Sequence, residues 1–301
     1  MMNPDGQMIG IMTVNGFDFH PNGRFRQEAE KKGHRVMLMD PYGVGCAIDG
    51  SSSRAFLADD GGMPDLVMPR QGSPMGEYGF VLLRQFEAMG LPIINGIDGV
   101  TIARNQYMTL QHLSRAGLPV PASYFVTRED VFFEAVRQLG GYPVVVKQVD
   151  GMGGDGVAVV GSADDANSFL GTRFVPRKGV VIQSFLDPLG RKDLRILVIG
   201  GHVAGTMALT PAPGQFRSNV HQQGQPAAFD LPAGLAELAI RAARACRLEI
   251  AGVDMLVSAG NTARIIEVNY SPGFRGLEQA TGLNIAGMIL DHVLELGTEK
   301  D

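Results

Sequence analysis

The chain has 301 residues, and its 26 lysines and arginines against 31 aspartates and glutamates give a formal net charge of −5 at pH 7. This balance argues against a broad nucleic-acid or acidic-membrane surface, because such surfaces need a basic surplus. Hydrophobic residues make up 45% of the chain and charged residues 19%, which is typical of an ordered globular protein.

The N-terminal residues have neither the basic start nor the apolar run of a secretory signal, and no apolar stretch approaches the ~18 residues of a membrane helix. Cys46 and Cys246 are the only cysteines, and their separation matches no metal-binding motif. We therefore predict a cytoplasmic protein without membrane or nucleic-acid partners, whose cysteines are free thiols in a reducing compartment.

Strand and helix signals alternate over the first hundred residues. Short apolar runs predict strands at 8–14, 35–39, 66–68 and 91–95. Helical spacing predicts helices at 24–32 and 80–89, each followed by a glycine. This β-α-β alternation predicts a parallel sheet with helices on its faces.

The pattern changes after residue 100. We predict a helix at 101–116, a strand at 123–126, a helix that begins at Thr127 with Asp130 as its capping-box partner, and a strand at 143–147. Strands and hairpins then dominate up to residue 269, with helices predicted at 235–246 and 284–296. A parallel α/β unit followed by an α+β half predicts at least two lobes, with a ligand cleft between them.

A glycine-rich loop follows the strand at 143–147. Gly151, Gly153 and Gly156 match G-x-G-x-x-G, but a strand and not a helix is predicted at 157–160, so the context of a dinucleotide site is missing. What remains is a hairpin whose tip can close over phosphates, with Lys147 as the accompanying cation. A plain hairpin with an exposed lysine fits these residues equally well.

A second candidate site lies on the terminal hairpin. A two-residue turn at Gly260-Asn261 would place Asp254 directly opposite Glu267, with carboxylates about 5 Å apart that repel by roughly 3 kcal/mol. Asn269 shares their face and adds a third oxygen, and such hard donors suit Mg²⁺ or Mn²⁺. A solvated acidic face is the alternative, but the apolar neighbours of Glu267 favour a buried metal site.

Two further dyads have the spacing of residues that share one face of a strand. They are Asp193-x-Arg195 and Arg217-x-Asn219. Arg195 could simply neutralise Asp193, or it could contact a ligand. Arg217 and Asn219 have the character of groups that stabilise transition-state charge. His221 is the one histidine that we single out for testing.

Taken together, these motifs resemble the ATP-grasp ligases of the RimK type. The resemblance rests on Lys147 with its glycine loop and on the segments QSFL (183–186), DLR (193–195), FRSN (216–219), AGVD (251–254) and EVNYSPGFRGLE (267–278). It extends to the front of the chain through GHRVMLMDP, VMPRQGSPMGEYGFVLLRQFEAMG and IARNQYMTLQHLSRAGLPVP. It therefore covers nearly the whole sequence.

The resemblance implies an α/β and α+β architecture: an ATP-grasp fold preceded by a parallel α/β pre-ATP-grasp domain. We place the pre-ATP-grasp domain at 1–100, the connecting helix and glycine-loop lobe at 101–185, and the metal-binding lobe at 186–301. The implied reaction activates a carboxylate as an acyl-phosphate with ATP and joins it to the amine of an amino acid, peptide or protein, releasing ADP. In the ribosomal-protein ligases of this type, the group added is glutamate. The resemblance also suggests a homo-oligomer, either a dimer or a tetramer.

The same resemblance implies roles for individual residues. Two Mg²⁺ (or Mn²⁺) ions would be bound by Asp254, Glu267 and Asn269, and catalysis would depend on Arg217 and Asn219. The remaining ATP contacts would come from the lysine, the glycine loop, the interlobe segment and a ribose-binding aspartate, together with the catalytic pair: Lys147, Gly151, Gly153, Gly154, Gly156, Gln183, Ser184, Phe185, Leu186, Asp193, Arg217 and Asn219.

The sequence also departs from the family pattern. Gln106 stands where a phosphate-binding lysine is usual, and Ala208 and Leu209 replace a basic pair. Each lost cation removes a contact worth roughly 1.5–3 kcal/mol. Arg275 replaces an acidic residue of the ribosomal-protein ligases. A nucleotide-binding module without catalysis and a small-molecule kinase are therefore the alternatives, and Arg70 is either a substrate-carboxylate contact or part of a structural salt bridge.

Overall fold

The structure, a computed structural model, describes residues 6–57, 62–70, 76–149, 156–210 and 225–298. The strands of these segments are β1 (Met8–Met12), β2 (Arg35–Met39), β3 (Val44–Asp49), β4 (Ser52–Leu57), β5 (Leu66–Pro69), β6 (Ser123–Val126), β7 (Val144–Gln148), β8 (Val157–Val160), β9 (Val180–Ser184), β10 (Lys192–Ile199), β11 (His202–Thr210), β12 (Gln225–Ala228), β13 (Ile250–Val257) and β14 (Ala263–Asn269). The helices are α1 (His20–Lys31), α2 (Gly76–Ala88), α3 (Ile97–Arg104), α4 (Gln106–Arg115), α5 (Glu129–Gln138), α6 (Ala163–Arg173), α7 (Ala233–Ala245), α8 (Arg275–Thr281) and α9 (Ile285–Thr298).

The front domain contains the predicted parallel sheet, with strand order β2-β1-β5. The strand predicted at 91–95 is wrong, since only the bridge between Val67 and Ile93 is recorded there. The amide of Val67 donates to the carbonyl of Pro92, and the amide of Ile94 donates to the carbonyl of Val67. Proline has no N–H to extend such a ladder. The hairpin β3–β4 was not predicted.

The connecting region differs from its prediction in two places. The single helix predicted at 101–116 is two helices, because Asn105 is extended and its Oδ1 accepts hydrogen bonds from the amides of Tyr107 and Met108 as the N-cap of α4. The capping box at Thr127 is also wrong: α5 begins after Arg128 without a side-chain cap. The guanidinium of Arg128 instead pairs with Asp130.

A small lobe follows, built on the antiparallel sheet β6-β9-β7-β8. Its core is self-contained, because the buried residues of this cluster run only from Val126 to Ile182 and include side chains of α5 and α6. The helix α6 had not been predicted. Among the described residues, the buried apolar cluster of the small lobe therefore shares no member with the other two clusters.

The large lobe is built on the antiparallel sheet β12-β11-β10-β13-β14. Its core continues into the front domain: Met12 and Leu82 belong to one buried cluster with Ile196 and Val253. The predicted helices at its end are present as α7 and α9, whereas α8 had not been predicted. Within the described residues, no helix has both the length and the apolar composition needed to cross a membrane.

Asn95 joins the front domain to the large lobe. Its side-chain amide is 2% exposed and donates to the carbonyls of Ile250 and Tyr270 at 2.7 and 2.8 Å. Its Oδ1 accepts from the amides of Glu249 and Ile250 at 2.8 and 2.9 Å. The start of β13 and the residue that follows β14 are thereby held together by one side chain.

Both cysteines are free thiols, as predicted. Cys246 is fully buried, and this burial raises the pKa of its thiol to about 12. It is therefore a core residue and not a reactive nucleophile.

Candidate active site

Three charged residues form a row across the large sheet. Arg195 on β10 pairs with Asp254 on β13, and Asp254 pairs with Glu267 on β14. The predicted opposition of the two acids is therefore confirmed, but the two-residue turn is wrong. Ser258 and Thr262 are hydrogen-bonded across a three-residue loop. A bulge on β14, next to Glu267, shifts the register by one residue and restores the predicted pairing.

Arg195 forms an ion pair with Asp254 on the side of that residue away from Glu267. Its Nε and Nη2 donate to the two carboxylate oxygens of Asp254 at 2.8 and 2.6 Å. The charge of Asp254 raises the pKa of this guanidinium. The suggestion that Arg195 neutralises Asp193 is wrong, because Asp193 is held by Arg191 through bonds of 2.7 and 3.1 Å.

Glu267 is the acid of the row whose charge is least compensated. Burial and the neighbouring charge of Asp254 raise the pKa of its carboxyl, while Lys147, Arg195 and a hydrogen bond from Asn269 act in the opposite direction. Lys147, on β7 of the small lobe, is 8% exposed. The charge of Lys147 thus acts on the Glu267 carboxyl of the large lobe and lowers its pKa.

The donor set fits a hard divalent cation. Asp254, Glu267 and Asn269 offer carboxylate and amide oxygens on adjacent strands, and a cation would offset the like-charge repulsion that disfavours ionised Glu267. Among the described residues, no group of three or more His, Cys, Asp or Glu side chains has metal-binding geometry. The candidate site thus depends on the asparagine as its third protein ligand.

The glycine loop connects two antiparallel strands, as predicted. Lys147 on β7 pairs with Val157 on β8, so a strand follows the loop, which is inconsistent with a dinucleotide fingerprint. Gly156 has φ +85°, and a Cβ there would lie 2.6 Å from Oε1 of Gln148. Gly151, Gly153 and Gly154 lie outside the described residues.

The segment between the lobes contains the residues for which adenine contacts are predicted, and the predicted ribose-binding residue Asp193 lies on β10. Gln183 is 2% exposed, and its Nε2 donates to Oγ of Ser123 at 2.9 Å, so its side chain is used within the lobe. Ser184 ends β9, and Phe185 and Leu186 follow, all three partly buried.

Arg191 is a residue that the sequence analysis missed. Besides pairing with Asp193, its Nη1 donates to the carbonyl of Leu186 at 2.8 Å. It therefore links the interlobe segment to the predicted ribose-binding acid. The Arg-x-Asp spacing at the start of β10 was the available signal.

The other predicted residues are either not part of the row Arg195–Asp254–Glu267 or lie outside the described residues. Arg217, Asn219 and His221 lie outside the described residues. Gln106 is the first residue of α4, and Leu209 on β11 pairs with Asp193. Ala208 precedes it and pairs with Leu194, so these two positions provide no cation.

Comparisons with known proteins assign this architecture. Residues 8–100 match the RimK PreATP-grasp domain, and residues 103–293 match the RimK-like ATP-grasp domain. The chain belongs to the RimK-like ATP-grasp family. A relative from Psychromonas ingrahamii, named a probable alpha-L-glutamate ligase, is 35% identical over 271 residues, which is 89% of each chain. One from Teredinibacter turnerae with the same name is 34% identical over 288 residues, covering 95% of this chain and 94% of that one.

Solved structures share the fold of this chain at lower identity. The ATP-grasp ligase PsnB, complexed with a phosphomimetic precursor variant, Mg and ADP, has a TM-score of 0.73 at 19% identity, covering 98% of this chain and 100% of that one. A D-alanine–D-alanine ligase from Bacillus anthracis, complexed with ATP, has a TM-score of 0.74 at 20% identity with the same coverage. The predicted fold and the predicted class, a carbon–nitrogen ligase, are confirmed by these relatives.

Proposed function

We propose that this chain is an ATP- and Mg²⁺-dependent ligase that activates a carboxylate as an acyl-phosphate and joins it to an amine, with L-glutamate as one substrate. The observation that carries this proposal is the row Arg195–Asp254–Glu267, in which the charge of Lys147 from the small lobe acts on the Glu267 carboxyl. The name shared by the relatives supports glutamate as the substrate class.

The residues of the row and of the neighbouring segments would have the following roles in such a reaction. Asp254, Glu267 and Asn269 would hold one or two Mg²⁺ ions, which supply charge neutralisation at phosphate oxygens. Lys147 would bind phosphates beside the glycine loop, and Arg195 holds the Asp254 carboxylate in a fixed orientation through two hydrogen bonds. The segment 183–186 would contact adenine, Asp193 the ribose, and Arg217 and Asn219 the transferred phosphoryl group.

The chemistry consists of two transfers. A carboxylate oxygen of one substrate attacks the γ-phosphorus, and ADP leaves with the electrons of the broken P–O bond. The amine nitrogen of the second substrate then attacks the acyl carbon, phosphate leaves, and the nitrogen loses a proton. Positioning and charge neutralisation provide most of the catalysis in phosphoryl transfers of this kind.

A nucleotide-binding module without catalysis is the second candidate. It is favoured by the missing cations at Gln106, Ala208 and Leu209, since each would have contributed a charge-assisted contact to a polyphosphate. The intact acidic pair favours catalysis. The cytoplasmic location and the assembly into homo-oligomers stay predictions.

The experiment measures ADP release with ATP, Mg²⁺ and L-glutamate, alone and with a pool of amino acids and peptides, followed by mass spectrometry of the products. A ligase requires both an acid and an amine and yields an amide. ADP release with one substrate and a stable phosphoester would indicate a kinase, and ATP binding without turnover would indicate a module.

A pair of variants makes the result specific. Lys147→Met should raise the KM for ATP by at least tenfold, because a charge-assisted phosphate contact is worth roughly 1.5–3 kcal/mol. The control is Lys31→Met on α1, where the side chain is 67% exposed. The KM of this variant for ATP should equal that of the wild type. Equal KM values for ATP in the two variants would refute the assignment of Lys147.

A further inference from the structure

Arg70 directly follows β5, at the carboxyl edge of the parallel sheet in the front domain. In open α/β sheets, ligands bind at the carboxyl ends of the strands. Arg70 is not among the residues that the proposed ATP and metal sites use. The charge of Arg70 at this edge therefore needs a separate explanation.

The guanidinium of Arg70 is buried without an anion. The residue is 7% exposed, its Nη2 donates to the carbonyl of Pro272 at 2.7 Å, and its guanidinium carbon lies 5.4 Å from the ring centroid of Phe25. In the part of the chain that the structure describes, this is its one hydrogen bond, and no carboxylate lies within salt-bridge distance. Burial lowers the pKa of Arg70 to about 10, so it is still charged at neutral pH.

A second polar group with unmet hydrogen-bonding capacity lies at the same edge. Nδ1 of His20, at the start of α1, is buried and has no partner among the described residues. The ring of His20 meets Phe274 edge-on at 5.5 Å, and Phe274 meets Phe25 at 5.3 Å. His20 and Arg70 therefore lie at the two ends of one pair of aromatic rings.

This edge borders the proposed metal hairpin. Pro272, whose carbonyl holds Arg70, comes three residues after Asn269. It packs tightly on β13, since a Cβ at Gly252 would lie 2.8 Å from the Cβ of Pro272. Gly252 is the strand partner of Asn269. A ligand anchored at Arg70 can therefore extend towards the reacting groups.

We propose that Arg70 binds a carboxylate of the amino-acid substrate that does not itself react, and so anchors this substrate beside the metal hairpin. A buried charge without a counter-ion is unfavourable, and an incoming carboxylate supplies both the missing charge and acceptors for the unused donors of the guanidinium. This inference rests on the proposed ligase function.

The test compares Arg70→Met and Arg70→Lys with the wild type. The control is Arg26→Met on α1, where an exposed guanidinium covers the ring of Phe17 at 4.4 Å. KM values are measured for ATP and for L-glutamate, and again with L-glutamine and L-isoglutamine, which lack the side-chain and the α-carboxylate respectively. The wild type should discriminate against one of the two amides, and that one identifies the carboxylate.

We expect Arg70→Met to raise the KM for L-glutamate about 10- to 100-fold, as loss of a charge-assisted contact predicts, with the KM for ATP within about twofold of wild type. The variant should also lose the discrimination against the amide. Arg70→Lys should retain part of both, because a lysine keeps the charge but not the bidentate geometry. Arg26→Met should match the wild type.

A binding measurement makes the inference independent of turnover. Saturating glutarate should raise the Tm of the wild type and of Arg26→Met but not that of Arg70→Met, because a ligand that binds only the folded state stabilises it. Without ligand, Arg70→Met should be at least as stable as wild type, since it removes a buried charge. Equal KM values for L-glutamate in wild type and Arg70→Met, or equal responses to glutarate, overturn the proposal. Absence of ligase turnover in the wild type refutes the proposed function, and the glutarate result then decides alone about Arg70.

Discussion

Replacing Glu267 by glutamine removes one of two facing carboxylates while the side chain keeps its shape. Carboxylates about 5 Å apart repel by roughly 3 kcal/mol at an effective dielectric of about 20. Arg195 and Lys147 offset part of this repulsion. We therefore expect Glu267→Gln to be more stable than wild type by about 1–2 kcal/mol in Mg²⁺-free buffer at pH 8, or roughly 2–5 °C in Tm.

The pH dependence of this difference follows from the sign of the pKa shift. The pKa of Glu267 is raised in the folded state, so the folded protein binds this proton more tightly than the unfolded chain does. The contribution of Glu267 to wild-type stability should therefore fall as the pH rises from about 4.3, the ordinary pKa of glutamate, through the raised pKa of this residue. The stability gain of Glu267→Gln should be near zero below this range and full above it.

The assays are thermal unfolding from acidic to alkaline pH, with and without Mg²⁺, and Mg²⁺-dependent ADP release. Glu237→Gln, on an exposed position of α7, is the control for the loss of one negative charge. Mg²⁺ should raise the Tm of the wild type and of Glu237→Gln, and turnover should be lost only in Glu267→Gln. A Glu267→Gln protein that is less stable than wild type at pH 8, or that keeps Mg²⁺-dependent turnover, would refute this reasoning.

Three further substitutions test the supports of the site. Asn95→Ala leaves buried carbonyls and amides without partners and should lower the free energy of unfolding by about 3–5 kcal/mol, measured by urea denaturation; a loss below about 1 kcal/mol would contradict its bridging role. Gly156→Ala places a Cβ against Gln148 at φ +85° and should destabilise the hairpin by about 1–2 kcal/mol and raise the KM for ATP, whereas an unchanged KM would separate this hairpin from ATP binding. Arg195→Met strips Asp254 of its bidentate partner and should weaken Mg²⁺-dependent stabilisation in thermal unfolding; unaltered Mg²⁺ titrations would exclude a role in orienting the acid.

Local patterns predicted the elements whose signals are strong and self-contained. The strands at 35–39, 123–126 and 157–160 have the predicted bounds, because each is a short run enclosed by turn residues or a change of period. The break at Asn105 was missed because a single asparagine does not by itself indicate that a helix ends. Only the hydrogen bonds to its Oδ1 show that a second helix begins there. The segment at 91–95 has the apolar composition of a strand, but Pro92 has no N–H to donate to β5, and the segment forms a single bridge there.

The acidic row shows a different limit of sequence reasoning. The pairing of Asp254 with Glu267 was predicted from a turn that is one residue too short, and the bulge beside Glu267 compensates for that error. Bulges leave no reliable mark in a single sequence. The ion-pair partner of each aspartate likewise depends on the folded chain. Asp193 pairs with Arg191, and Arg195 pairs with Asp254 on the neighbouring strand. The sequence alone does not show which strands become neighbours, so it could not assign these pairs.

The distribution of buried clusters has a consequence for chimaeras between relatives. The apolar interior beneath β1 and α2 is continuous with that of the large lobe, whereas the buried cluster of the small lobe is closed within 126–182. Swapping the small lobe should preserve every buried apolar interface within that cluster. The boundary between the two matched family models lies near residue 100. A crossover between relatives at this point would nevertheless join two halves of one apolar core that had not evolved to pack together.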